Sequence, residues 1–159
     1  MNQKEQVAPR SAAPNTRAIV VEEVIPHSPA KVWEAITKRE YLNRWLMKNN
    51  FEPTVGHRFT FQAQPMGDWN GIVDCKVLQC DPPHVLAYSW VGGSANNPGV
   101  GSVLDSVLTI TLTAVEGGTH FKLVHDGFRS PENDAGFIAM SSGWGGIIKR
   151  IDALLTGNP

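Results

Sequence analysis

The sequence has little of what several protein classes need, beginning with cysteine. Only two of its 159 residues are cysteines, Cys75 and Cys80. On one extended strand the two would lie roughly 16 Å apart, whereas disulfide partners need Cα atoms within about 7 Å of each other. We therefore expect two free thiols, which suit a reducing compartment, and a cytoplasmic location.

Charge of one sign and long apolar runs are lacking as well. The formal net charge is −1 and no run of Lys and Arg occurs, so the chain offers no basic field to nucleic acid. No segment reaches the ~20 apolar residues that a membrane-spanning helix needs, so we expect no membrane insertion. The opening stretch, MNQKEQVAPRSAAPNTR, has no apolar centre of the kind that a signal peptide carries.

Large apolar groups are almost absent from residues 1–16, which contain Pro9 and Pro14. This composition predicts a disordered N-terminal tail. Residues 17–159 fit one domain, because that length supports a core without disulfides or a structural metal. No cofactor is indicated.

The ordered part begins with a predicted strand, RAIVVEEVI, which ends before Pro26. A helix is predicted in SPAKVWEAIT, where Ser28 is a good N-cap and Pro29 suits the first helical position. A second short helix is predicted in REYLNRWLM. Both are too short to be stable alone and must pack on another element.

Five further strands are predicted from alternating apolar and polar residues between turn signals. They lie in HRFTFQA, GIVDCKVLQC, HVLAYSW, LDSVLTITLTAV and THFKLVHDGF. Consecutive strands joined by short turns predict an antiparallel sheet with one apolar face. The Gly/Asn-rich stretch VGGSANNPGVGS suits a mobile gate and an ordinary hairpin loop equally well.

A long C-terminal helix is predicted over residues 134–155, because apolar residues recur there at helical spacing. Such a helix is the only element long enough to cover the apolar face of the sheet. Gly143 borders the apolar stripe and could leave room for a ligand, while Gly145 and Gly146 have no evident role. The stripe consists of Met140, Trp144, Ile147, Ile148, Ile151, Leu154 and Leu155.

At this point the chain resembles a known family. The stretches SPAKVWEAIT, FEPTVGHRFTF, VLAYSW, THFKLVHDGF and GWGGIIKRIDALL, in this order, resemble the START-like (SRPBCC) superfamily, in its branch named after the activator of the heat-shock-protein-90 ATPase. The resemblance implies an α+β helix-grip fold: a curved antiparallel six-stranded sheet around a long C-terminal helix, with two short helices after the first strand. It also implies a cavity between helix and sheet. Ligand carriers, cyclases and co-chaperone-like domains share this fold, so it does not choose a function.

His125 is the candidate for chemistry, because it lies on the inward face of the last strand with Phe121 and Leu123. It could serve as a metal ligand, a general base, a polar anchor in an apolar pocket or a structural residue. No second histidine lies at chelating spacing, and the best base partner, Asp105, is expected to face outward.

The inward rows predict a set of cavity-lining, ligand-binding residues, with no catalytic and no metal-binding residue among them. The set comprises Phe59, Phe61, Trp69, Val73, Tyr88, Trp90, Leu108, Leu123, His125, Phe128, Trp144 and Ile148. The first hypothesis is a non-enzymatic protein that binds a hydrophobic small molecule. The alternatives are a co-chaperone-like interaction module and a cyclase- or hydrolase-like enzyme. A protein partner stays open, as does the choice between a monomer and a weak homodimer.

Overall fold

One antiparallel sheet of seven strands carries the fold in the computed structural model, which describes residues 16–157. The elements in chain order are β1 (Thr16–Ile25), α1 (Pro29–Thr37), α2 (Arg39–Trp45), β2 (Lys48–Asn49), β3 (Arg58–Gln62), β4 (Ile72–Asp81), β5 (Val85–Gly92), β6 (Leu104–Val115), β7 (Gly118–Arg129), α3 (Asp134–Trp144) and α4 (Ile147–Leu155). The strand order across the sheet is β1-β7-β6-β5-β4-β3-β2. The predicted α+β helix-grip class is confirmed.

The sheet has one strand more than predicted. Lys48 and Asn49 form β2 by pairing with Gln62 and Phe61 of β3. Two residues cannot display an alternating pattern, so the sequence gives no signal for this edge strand. The other six strands lie where the sequence predicts them, and β6 spans the predicted residues 104–115.

The first helix starts at the predicted cap. The backbone N–H of Lys31 donates to Ser28 Oγ at 3.3 Å, and Pro29 is the first helical residue. α1 buries Val32, Ala35 and Ile36 and contacts β6, β7 and α4. A packed helix pair, α1 with α4, therefore covers one part of the sheet.

The predicted C-terminal helix is present over the expected residues, but a break divides it into two helices. α3 ends at Trp144 and α4 begins at Ile147, with Gly145 and Gly146 between them. Both glycines keep right-handed dihedral angles, and the Gly146 N–H reaches back only three residues, to the Gly143 carbonyl at 3.4 Å. Glycine loses more backbone entropy in a helix than any other residue, which explains a break at this pair.

The two helices, α3 and α4, bury different numbers of side chains. α4 buries Ile147, Ile148 and Ile151, whereas α3 buries only Trp144. The apolar stripe predicted over both helices is therefore closely packed only in its second half. The first half leaves a space between α3 and the sheet.

The remaining expectations about the chain have separate outcomes. The predicted disordered tail lies outside the described residues, apart from Thr16, which is the first residue of β1. Cys75 and Cys80 are free, as predicted. Burial, followed by the nearby Asp74 carboxylate, raises the pKa of the Cys75 thiol far above its usual value. Between residues 16 and 157 no helix has the length and apolar character to cross a membrane.

Candidate functional site

A cavity of about 570 Å³ lies between α3 and the sheet and is partly open to solvent. We call it the α3 cavity. Small-molecule sites usually measure roughly 300–1,000 Å³, so the volume suits a small organic ligand. Its wall comes from the end of α2, the connection between β3 and β4, the strands β4 to β7, the loop before β6, and the helices α3 and α4.

The cavity exists because one face of α3 carries small residues. Gly136, Ala139 and Gly143 lie at helical spacing on the cavity wall. A Cβ atom added at Gly136 or Gly143 would meet nothing within 4 Å. The helix thus stands over the sheet without side chains to fill the gap, which is the role suggested for Gly143.

Aromatic groups form much of the remaining wall. Trp69, Trp90, Trp144 and Phe128 all line the α3 cavity. The Trp69 indole donates to the Ile72 carbonyl at 2.9 Å, and the Trp144 indole donates to His125 Nδ1 at 3.0 Å. Because these polar edges bond to the protein, the rings present mainly apolar surface to the cavity.

Phe128 reaches the wall through a β-bulge. The β1 partners step from Phe128 to Asp126 and leave Gly127 unpaired, with φ +120°. An extra residue in one strand reverses the alternation beyond it. Phe128 therefore faces the same side as His125, with the two ring centres 4.8 Å apart.

His125 lies behind this wall in a chain of hydrogen bonds. Its Nε2 is 2.8 Å from Ser106 Oγ, which in turn donates to the Trp90 carbonyl at 2.8 Å. Since the Trp144 indole donates to Nδ1, Nδ1 must be unprotonated. The arrangement fits a neutral imidazole that donates from Nε2 to Ser106 Oγ.

Burial makes the charged form of His125 unfavourable. The side chain is fully buried, and desolvation lowers its pKa from 6.5 to about 3. The nitrogen that could accept a proton already accepts the Trp144 hydrogen bond. This geometry matches the structural alternative among the four roles considered for His125.

The predicted site residues fall into two groups. Five line the α3 cavity, namely Trp69, Val73, Trp90, Phe128 and Trp144. The other seven are buried in the protein core and are not among the residues that border this cavity; they are Phe59, Phe61, Tyr88, Leu108, Leu123, His125 and Ile148. Strand alternation identifies the inward face but not the position along it, so packed and cavity-lining residues look alike in the sequence.

Ring packing explains part of this division into two groups. Phe59 contacts Phe51, Phe61 and Tyr88 with ring centres 5.1–5.4 Å apart. These edge-on contacts fill the end of the sheet beside β2 and β3. Leu108, Leu123 and Ile148 belong to the same buried core, in the half of the sheet near α1 and α4.

The Gly/Asn-rich loop closes one side of the cavity through Asn97. Its Nδ2 donates to the Met66 carbonyl at 2.7 Å and to the Gly101 carbonyl at 3.3 Å. Its Oδ1 accepts the Asp68 N–H at 3.0 Å. Asn97 thus ties this loop to the turn before β4, and both segments border the cavity.

Asn133 joins the loop to the start of α3. It is buried, and its Nδ2 donates to Ser102 Oγ and to the Val103 carbonyl, while its Oδ1 accepts the Arg129 N–H. Sequence reasoning missed Asn97 and Asn133, because a polar residue in a loop gives no sign of its partners. It also missed the small face of α3, whose i, i+3, i+7 spacing was visible.

The described residues hold no cluster typical of metal chemistry. Among residues 16–157, no group of three or more His, Cys, Asp or Glu side chains could hold a metal ion. Asp105 is exposed on β6, as predicted. A second groove, of about 750 Å³, lies outside the loop beside Asp105, Arg129 and Glu132, and none of the described residues that border it is aromatic.

The chain resembles known proteins in both sequence and fold. The sequence profile of the family described as "Activator of Hsp90 ATPase homolog 1-like protein" matches residues 26–156. Among solved structures, protein MLL2253 from Mesorhizobium loti is 37% identical with a TM-score of 0.76, over 90% of this chain and 99% of that chain. No curated protein matches the sequence.

Two further structures are similar. Protein BH1534 from Bacillus halodurans is 25% identical with a TM-score of 0.69, over 87% of this chain and 96% of that chain. CalU16 from Micromonospora echinospora is 21% identical with a TM-score of 0.68, over 91% of this chain and 81% of that chain. At that identity the second likeness concerns the fold alone.

Proposed function

Because the chain belongs to the family of Activator of Hsp90 ATPase homolog 1-like proteins, within the START-like superfamily, we propose that it uses this fold to bind a small molecule. The ligand is apolar or aromatic, and it occupies the α3 cavity. The observation that carries the proposal is a space of about 570 Å³ bounded by indole and phenyl rings on one side and by the small face of α3 on the other.

The energetics favour such a ligand. Apolar surface removed from water contributes about 25 cal/mol per Å², and flat rings offer wide contact for stacking. The small residues at Gly136, Ala139 and Gly143 leave the space between helix and rings unfilled. A molecule with a flat apolar body fits that space better than a compact polar one.

The site also favours binding without chemistry. General acid–base catalysis needs a titratable group within reach of the substrate. Among the described residues, no Asp, Glu or His side chain lines the cavity. The imidazole of His125, which contacts the wall residue Trp144, is buried and neutral, and both its nitrogens have partners inside the protein.

The proposal is tested with N-phenyl-1-naphthylamine, a neutral aromatic probe that fluoresces in apolar surroundings. We expect saturable binding at one site, with energy transfer from the tryptophans of the wall. Ala139→Phe, which places a ring on the cavity face of α3, should weaken binding at least about tenfold, a change of 1.4 kcal/mol.

Ile138→Phe is the matched control, because Ile138 is the adjacent residue of α3, is 69% exposed and does not line the cavity. It should bind the probe like the unaltered protein. Non-saturable binding, or equal binding by the two variants, would contradict the proposal.

A further inference from the structure

We propose that the ligand of the α3 cavity carries an acidic group, and that Arg44 and Arg150 receive this anion. The inference rests on the proposed function and adds a chemical class to it: a flat apolar body with a carboxylate, or an equivalent oxyanion such as a sulfonate.

The charged side chains on the described part of the wall are all positive. Among the described residues that line the cavity, the only charged ones are Arg44 and Arg150. A site with two cations and no acidic side chain on its wall has a positive potential, and low-dielectric walls strengthen it. Such a field attracts an anion and disfavours a cationic ligand.

These two arginines differ from three others in the chain. Arg17 pairs with Asp134 at 2.8 Å, Arg39 with Glu52 at 3.1 Å and Arg129 with Glu132 at 3.4 Å. Within residues 16–157, neither Arg44 nor Arg150 has a carboxylate partner. Their charge is therefore not compensated by the described part of the protein.

The neutral polar side chains of the wall are already satisfied. Ser102 Oγ donates to the Glu132 carbonyl and accepts from Asn133, and all the hydrogen-bonding atoms of Asn133 have partners. The side-chain groups left over are donors: the Arg44 guanidinium, the remaining N–H groups of Arg150 and the Trp90 indole. Trp90 is only 4% exposed, and its indole N–H has no partner among the described residues. Unused donors are complemented by acceptors on a ligand.

Arg150 is held in place by groups of the protein itself. Its Nε donates to the Trp45 carbonyl at 3.2 Å and one Nη donates to the Gly143 carbonyl at 3.2 Å. A Cβ at Gly146 would lie 2.9 Å from the other Nη. The glycine therefore leaves room for the guanidinium, which accounts for one of the two residues at the break between α3 and α4.

A helix-capping role alone would explain Arg150 but not Arg44. The Trp45 and Gly143 carbonyls lie at the ends of α2 and α3, where a cation is favourable. Arg44 is exposed and makes no hydrogen bond or ion pair within residues 16–157, yet it borders the same cavity. Two cations from different helices at one apolar site fit a bidentate anion.

The test compares two probes of one skeleton. 8-Anilinonaphthalene-1-sulfonate adds a sulfonate to N-phenyl-1-naphthylamine, so their difference isolates the anion. For the double variant Arg44→Gln/Arg150→Gln we expect affinity for the sulfonate probe to fall about tenfold or more, while affinity for the neutral probe changes less than about twofold. Added salt should weaken only the sulfonate probe.

The controls distinguish failure of the anion inference from failure of the proposed function. Lys149→Gln removes one positive charge beside Arg150 but away from the wall, and it should leave both probes unchanged. Arg44→Gln alone breaks no described contact and should still weaken the sulfonate probe about threefold, even where loss of Arg150 unfolds the chain. An unchanged ratio of the two affinities in both Arg variants would overturn the anion inference and leave the proposed function standing. Absence of binding by either probe to the unaltered protein would overturn both.

Discussion

At the scale of single residues, His125 determines how the wall of the α3 cavity is oriented. It accepts the indole hydrogen of Trp144 and contacts Ser106, which is bonded to the Trp90 carbonyl. Two tryptophans that line the cavity, one from α3 and one from β5, are thus joined through one buried imidazole. Replacing Ser106 or Trp144 by an apolar residue leaves a buried nitrogen of His125 without a partner. The free-energy cost of such an unpaired group exceeds the net contribution of the hydrogen bond itself.

The first residue-scale prediction concerns pH. The folded chain holds the pKa of His125 at about 3, against 6.5 for an unburied histidine. Between these values the unfolded chain binds a proton at this position and the folded chain does not. The free energy of unfolding should therefore fall as pH drops from 6.5 towards 3, by a few kcal/mol at the lower end. Urea unfolding at a series of pH values measures it.

The variant His125→Gln should show a weaker dependence on pH over the same window, since it has no group to titrate there. An equal slope for variant and unaltered protein would contradict the assignment. Trp144→Phe gives an independent readout by NMR: loss of the bond that favours the neutral ring should raise the pKa of His125. Trp33→Phe, at a half-buried tryptophan with no bond to His125, should leave that pKa unchanged.

At the scale of elements, α3 is helical although two glycines lie on its cavity face. Each glycine costs about 1 kcal/mol relative to alanine in a helix interior. A Cβ at Gly143 would meet nothing within 4 Å, so packing does not require the glycine. Gly143 lowers the stability of the helix, and its effect on the structure is to leave open space over the sheet.

We predict that Gly143→Ala stabilises the protein by about 0.5–1 kcal/mol, because alanine is the better helix former and meets no obstacle. Gly127→Ala should do the opposite, losing about 1 kcal/mol or more, because Gly127 has φ +120° and its Cβ would lie 2.8 Å from the Asp105 carbonyl oxygen. Urea unfolding of both variants tests the pair. Destabilisation by Gly143→Ala would show that the helix needs the glycine for packing.

Most elements could be predicted from the sequence, for identifiable reasons. Ser28 and Pro29 mark the start of α1, and the alternation from Leu104 to Val115 marks β6 over its full length. The break at Gly145–Gly146 could not, because the apolar stripe continues at helical spacing through it. β2 could not either, since it exists only through its pairing with β3.

At the scale of the whole molecule, stability is distributed unevenly. The longest strands, β6 and β7, pair with each other along most of their length, and each has a second neighbour on its other side. α3 buries a single side chain, that of Trp144. Local opening costs less free energy where fewer apolar contacts are buried. We therefore expect α3 to open independently of β6 and β7.

Hydrogen–deuterium exchange followed by mass spectrometry should reveal this distribution. We expect the slowest exchange in β6 and β7 and the fastest exchange of any helix in α3. Saturation with N-phenyl-1-naphthylamine should slow exchange in α3 and in the loop around Asn97 more than in β6. Equal protection of α3 and β6 without the probe would contradict the picture of a lightly packed α3.

Much less of the candidate site than of the fold could be predicted, and the reason lies at this scale. Alternation assigned Tyr88 and Trp90 to one face, but only the three-dimensional packing separates Tyr88, inside an aromatic cluster, from Trp90, on the cavity wall. Arg44 and Arg150 lie far apart in the sequence on separate helices. Nothing local in either sequence environment indicates that they border the same space.

The small face of α3 has a consequence for how related chains can diverge. Gly136, Ala139 and Gly143 take part in no strand pairing and lie on a helix that contacts the sheet through other residues, Asp134, Phe137 and Trp144. Exchanging these residues for larger ones resizes the interior and leaves every backbone bond of the sheet intact. One scaffold can in this way acquire differently shaped interiors by a few substitutions on a single helix, with the cationic pair at Arg44 and Arg150 varied separately.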